Sequence, residues 1–256
     1  MDRNVVLSNV AGSISIASWV VVLFPQIWIN YKRKSGDSLS PTFLYIWAVG
    51  DWLNLVGAVY QKLLTTMIIL AIYYIIIDTI VIIQIYYYRR RRRHTDDEIV
   101  GEIIPLINNT STPESRRQER IKQFLLIFAS LIGVCLTGVI SYVITSRMKS
   151  QEVSNSEDQG MNIVAQIFGW ASAFLYLGAR IPQIIQNYQN KSTEGLSLAM
   201  FCFSVLGNIT YSLSIIFFSI EPHYLLMNLA WLVGSGGTLI FDFIIFIQFF
   251  IYSNIQ

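Results

Sequence analysis

Charge is scarce in this chain. Only 13% of its 256 residues are Asp, Glu, Lys or Arg, where soluble domains carry about a quarter. Cysteine is scarcer still. Cys135 and Cys202 each lie inside an apolar run, which argues against a disulfide framework and against a thiolate metal site. The chain has no H-E-x-x-H helix, no G-x-S-x-G elbow and no phosphate-cradling glycine loop. Neither an enzyme nor a bound cofactor is therefore expected, and nothing suggests a nucleic-acid partner. Nor is a cleavable leader expected. Asp2 and Arg3 precede a serine-punctuated apolar segment without a small-residue cleavage site, so the first span is expected to serve as its own insertion signal.

What the chain has in abundance is apolar length. It is 54% hydrophobic, and its apolar runs reach the roughly 20 residues that cross about 30 Å of hydrocarbon. The expected class is an all-α membrane protein with seven spans. These run from about Val10 to Asn30, Pro41 to Tyr60, Leu64 to Tyr88, Phe124 to Ile144, Ile163 to Tyr188, Leu198 to Ser219 and Tyr224 to Tyr252.

Two stretches repeat in register. Phe24-Pro25-Gln26-Ile27 through Tyr31-Lys32 to Leu39-Ser40 recurs 157 positions later as Ile181-Pro182-Gln183-Ile184 through Tyr188-Gln189 to Leu196-Ser197. Asp78 and Gln84 in span three recur as Asp242 and Gln248 in span seven, with a shift of 164. The unit is thus duplicated. Residues 1–88 form one three-helix repeat and residues 161–256 the other. Between them lie a basic and acidic segment, 89–122, read as a flexible water-exposed linker, and a linker helix with its loop, 123–160. Three helices, one, then three make an odd connection, so both repeats enter the membrane in the same direction. The expected architecture is a parallel pair related by an axis along the membrane normal.

Orientation follows from Lys and Arg. One side collects thirteen of them: Lys32, Arg33, Lys34, Arg89 to Arg93, Arg116, Arg117, Arg120, Lys122 and Lys191. The other holds Arg3, Lys62, Arg147 and Lys149. The first side is expected in the cytosol, with the N-terminus lumenal and the C-terminus cytosolic. The arginine run could also meet anionic lipid. Glu102, Leu106 and Ile107 are spaced like an acidic dileucine sorting signal that a cytosolic adaptor would read.

The duplicated Pro-Gln motifs resemble those of the PQ-loop family of seven-helix transporters. Gly50-Asp51-Trp52-Leu53-Asn54, Gly207-Asn208-Ile209-Thr210-Tyr211 and Trp231-Leu232-Val233-Gly234-Ser235 narrow the resemblance to its fungal vacuolar and animal lysosomal basic amino acid branch. The resemblance covers nearly the whole chain outside 89–122. It implies transport of lysine, arginine or histidine by alternating access, with hinges at Pro25-Gln26 and Pro182-Gln183. Proton coupling and exchange both stay open. The alternatives are another small amino acid such as cystine, or a cargo receptor that does not transport. Ser212 stands where the cystine branch would carry an acidic group, which argues against cystine.

Charged residues inside spans are costly and normally face a bundle interior. Here they are Asp51, Asp78, Arg180 and Asp242. Three carboxylates against one guanidinium suit a cationic substrate or a transported proton. Asp51 shares a helix face with Trp47 and Asn54, and its repeat counterpart is the neutral Asn208. The expected substrate contacts are Asp51, Asn54, Trp47, Asn208, Tyr211 and Trp231. Asp78, Asp242 and Arg180 are expected to handle protons or helix pairing.

Overall fold

The computed structural model describes residues 3–60, 65–99, 113–148 and 163–253. The helices are α1 (Arg3–Val21), α2 (Phe24–Arg33), α3 (Pro41–Tyr60), α4 (Thr65–Ile99), α5 (Pro113–Met148), α6 (Ile163–Asn190), α7 (Leu198–Phe218), α8 (Pro222–Met227) and α9 (Leu229–Ser253). Taking α1 and α2 as one run, seven helices among the described residues are long and apolar enough to span a membrane.

The first span breaks where proline chemistry requires it. Pro25 has no backbone N–H, and its ring would collide with the carbonyl of Val21. The helix stops at Val21, Val22 and Leu23 form a turn, and α2 starts at Phe24. The second copy behaves differently, because Pro182 lies inside an uninterrupted α6. Both Pro-Gln helices end alike, on a left-handed lysine: Lys34 at φ 52° and Lys191 at φ 48°. Each ammonium then sits over the tyrosine one turn back, Tyr31 at 3.6 Å and Tyr188 at 3.3 Å. The next helices start at serine caps, with Ser40 before Pro41 and Ser197 accepting from the Met200 amide.

The most extensive helix–helix surfaces join the two halves, α3 against α6 and α1 against α7. They are related by the internal repeat. A Cβ on Gly50 would lie 2.9 Å from the Tyr176 ring, and one on Gly207 would lie 2.8 Å from Trp19. Both pairs obey the 157 shift, so each seam closes by setting a bare helix backbone against an aromatic ring. The linker helix α5 packs on α1, where Gly138 meets the backbone of Ile14. Most of its other apolar side chains face outward, as a lipid-facing helix requires.

Two stretches read as linker are helical. α4 runs on through Arg89 to Ile99, and α5 already starts at Pro113. No glycine or proline occurs between Thr65 and Ile99, and a formed helix propagates through polar residues at little cost. Pro113 supplies a natural first helical residue. Glu102, Leu106 and Ile107 lie outside the described residues.

Candidate functional site

Polar side chains inside the bundle form three layers. The outermost, at the Pro-Gln end, is a reciprocal exchange between the halves. Gln26 Oε1 accepts from the Ser197 amide at 2.8 Å, and Gln183 Oε1 accepts from the Ser40 amide at 2.8 Å. Gln26 Nε2 donates to the Gly195 carbonyl at 3.1 Å, and Gln183 Nε2 to the Ser38 carbonyl at 3.0 Å. Each glutamine also donates to the asparagine one turn on, Asn30 at 2.8 Å or Asn187 at 2.9 Å. Those asparagines donate to Gln84 at 3.1 Å and Gln248 at 2.8 Å. Gln26 and Gln183 are fully buried. Their bonds tie the halves together at this end of the bundle, with each half holding the other's turn.

The second layer is an ion pair. Arg180 Nε donates to Asp242 Oδ1 at 2.7 Å, and its Nη2 donates to Ser204 at 2.9 Å. Ser204 donates in turn to Asp242 Oδ2 at 3.0 Å. The guanidinium lies 4.3 Å over the Trp47 ring, with Phe43 and Phe201 farther off at 5.2 and 5.9 Å. Arg180 and Asp242 are 3% and 0% exposed. Every charge in this layer is matched, as burial in hydrocarbon demands.

The third layer is not matched. Asp51 is 3% exposed and Asp78 is 2% exposed. Their carboxyls lie against each other between α3 and α4. Asp51 Oδ1 accepts from the Tyr176 hydroxyl at 2.5 Å. Asp51 Oδ2 and Asp78 Oδ2 have no hydrogen-bond partner outside the pair among the described residues, and the Tyr74 hydroxyl has none. Asn208 is equally buried, and its Nδ2 is also without a partner among the described residues.

Trp47, Asp51 and Asp78 thus come together, as do Arg180 and Asp242. Asn54 and Tyr211 are half-buried on the expected helices. Trp231 lies over Gly169, seven residues and so about 10 Å along α6 from Tyr176. Sequence reasoning missed Tyr176, Tyr74 and Ser204. One signal was available for Tyr176: aromatics at 19 and 176 and glycines at 50 and 207 each obey the 157 shift.

Two parallel three-helix halves, a linker helix and a buried polar seam define the class: a duplicated, polytopic helical membrane protein. The PQ loop repeat pattern matches residues 7–67 and again 164–224. The chain is 39% identical to a vacuolar lysine transporter of Saccharomyces cerevisiae, over 97% of this chain and 94% of that one. It is 34% identical to a vacuolar arginine/histidine antiporter of the same yeast, over 96% and 84%. A human lysosomal amino acid transporter homologue matches at 32%, over 95% and 81%. The chain belongs to the PQ-loop family.

Proposed function

We propose that this protein carries cationic amino acids, lysine, arginine or histidine, across a vacuolar or lysosomal membrane. One observation carries the reading: after Arg180 and Asp242 pair, Asp51 and Asp78 remain buried against each other, each with a carboxyl oxygen that has no partner outside the pair among the described residues. A bundle that keeps carboxylates in this state suits a ligand that brings positive charge. The relatives named above support the substrate class. Alternating access would open the glutamine-closed end and seal the opposite one. Asp51 contacts the substrate cation in this reading, and Asp242 serves helix pairing through Arg180.

Two opposite charges about 4 Å apart, at an effective dielectric near 20, attract by roughly 4 kcal/mol before desolvation. A quarter of that surviving gives about fivefold preference for a cationic over a neutral side chain. Asp51→Asn is nearly isosteric. The purified variant in liposomes should keep its thermal midpoint and lose lysine and arginine uptake by about that factor or more. A folded Asn variant with wild-type rate and selectivity would make Asp51 structural and remove the charge-matching argument.

A further inference from the structure

Inside the spans, the two halves differ in charge at two repeat-related positions. The 157 shift that aligns Pro25 with Pro182 also aligns Leu23 with Arg180. The 164 shift that relates the third helices aligns Asp78 with Asp242. In the second half, the aspartate therefore faces a guanidinium 2.7 Å away. In the first half the aspartate is kept and buried, but Leu23, itself 3% exposed, stands at the arginine's position. The first half also has the additional carboxylate, because Asp51 corresponds to Asn208. At repeat-related positions, with Arg180 inside the unbroken α6 and Leu23 in the turn between α1 and α2, one half holds a complete ion pair. The other holds two carboxyls, each with one oxygen that has no partner outside the pair among the described residues.

The surroundings suit a cation as well. Trp19, on α1, lies 6.2 Å from Trp47 and 6.3 Å from Tyr74, ring centre to ring centre. Aromatic faces and carboxylates together are what hold Arg180 in the other half, and cations favour both. The groups known to meet here are Asp51 and Trp47 from α3, Asp78 and Tyr74 from α4, Tyr176 from α6 and Trp19 from α1.

We propose that the Asp51–Asp78 pair is the subsite for the substrate's side-chain cation. By the internal two-fold relation, that cation takes the position Arg180's guanidinium holds in the second half, and Leu23 is the residue that leaves this position to the substrate. The inference rests on the functional reading above and deepens it. Arg180 is a built-in template: it shows how this scaffold holds a guanidinium between an aspartate and an aromatic ring. Asp78 is then a specificity residue, equal in standing to Asp51.

The test is to supply the cation from the chain itself. Leu23→Arg should fold with a raised thermal midpoint, and arginine uptake into proteoliposomes should fall at least tenfold. A folded Leu23→Arg protein that carries arginine at the wild-type rate overturns the proposal. Should Leu23→Arg not fold, Asp78→Asn decides. A tenfold or larger rise in the arginine concentration for half-maximal uptake supports the subsite, and an unchanged value overturns it. Wild-type protein that moves no cationic amino acid would instead overturn the functional reading. The midpoint of Leu23→Arg then judges the geometry alone, a rise supporting the cation position and a fall refuting it.

Discussion

At the scale of the residue, the sharpest contrast is between Arg180 and the two carboxylates across the seam. Arg180 and Asp242 have their hydrogen-bonding needs met by each other and by Ser204. Removing one partner leaves the other charge buried alone, at a cost of about 3–5 kcal/mol. Arg180→Met should therefore lower the thermal midpoint well below that of Asp51→Asn. Arg180→Met with Asp242→Leu replaces the pair by apolar volume and should recover most of the loss. Thermal unfolding followed by tryptophan fluorescence reads all three variants. A double variant no better than the single would show that Asp242 had found another partner. The sequence placed these charges inside the spans but did not assign the arginine. Asp78 and Asp242 are repeat-related and look equivalent in one dimension. Only the packing of α9 beside α6 decides between them. Tyr176 was hidden for a related reason, since an aromatic in an apolar span reads as core until its hydroxyl is seen on Asp51.

At the scale of the element, one duplicated motif has produced two different helices. Pro25 ends α1, whereas Pro182 sits in an unbroken α6. The glutamines beside them remain equivalent, each bonding the other half's serine amide and turn carbonyl. Gln183→Ala deletes two of these inter-half bonds. At about 1 kcal/mol each, their loss shifts the balance from the closed arrangement by about 2 kcal/mol, or about thirtyfold. Spin labels at Lys32 and Gln189, both exposed and repeat-related, would read it. The longer-distance population should grow in the variant, and an unchanged distribution would mean that the glutamines do not close this end. The outer salt bridge between Arg33 and Glu194, at 2.6 Å with side chains 45% and 56% exposed, adds little. Span number and duplication were legible because both are periodic signals in one dimension. The helical stretches 89–99 and 113–122 were not. Their polar composition looks in one dimension like that of a linker, although no glycine or proline interrupts 89–99.

At the scale of the whole molecule, helix length and charge make one argument about orientation. α4 has 35 residues and so extends about 52 Å, well beyond about 30 Å of hydrocarbon. Its apolar portion, Ile68–Arg91, is 24 residues long. The rest must project from the bilayer, and the projecting end starts in the arginine run at 89–93. α5, with 36 residues, is equally overlong. Its apolar portion is Ile121–Ser146, so its excess, with Arg116, Arg117 and Arg120, lies at the same end. These residues share a side with Lys32, Arg33, Lys34 and Lys191, so the glutamine-closed end belongs with the basic side. Lys and Arg concentrate on the cytosolic face. We therefore expect the described bundle to be closed toward the cytosol, with residues 100–112 on that face. There Glu102, Leu106 and Ile107 would be within reach of a sorting adaptor. A cysteine placed at Ser111 in sealed, right-side-out vacuolar vesicles should react with an impermeant thiol reagent from outside. A cysteine at Ser156, in the opposite loop, should react only after permeabilisation. The reverse pattern would invert the molecule, put the glutamine layer on the lumenal face and deny the adaptor its signal.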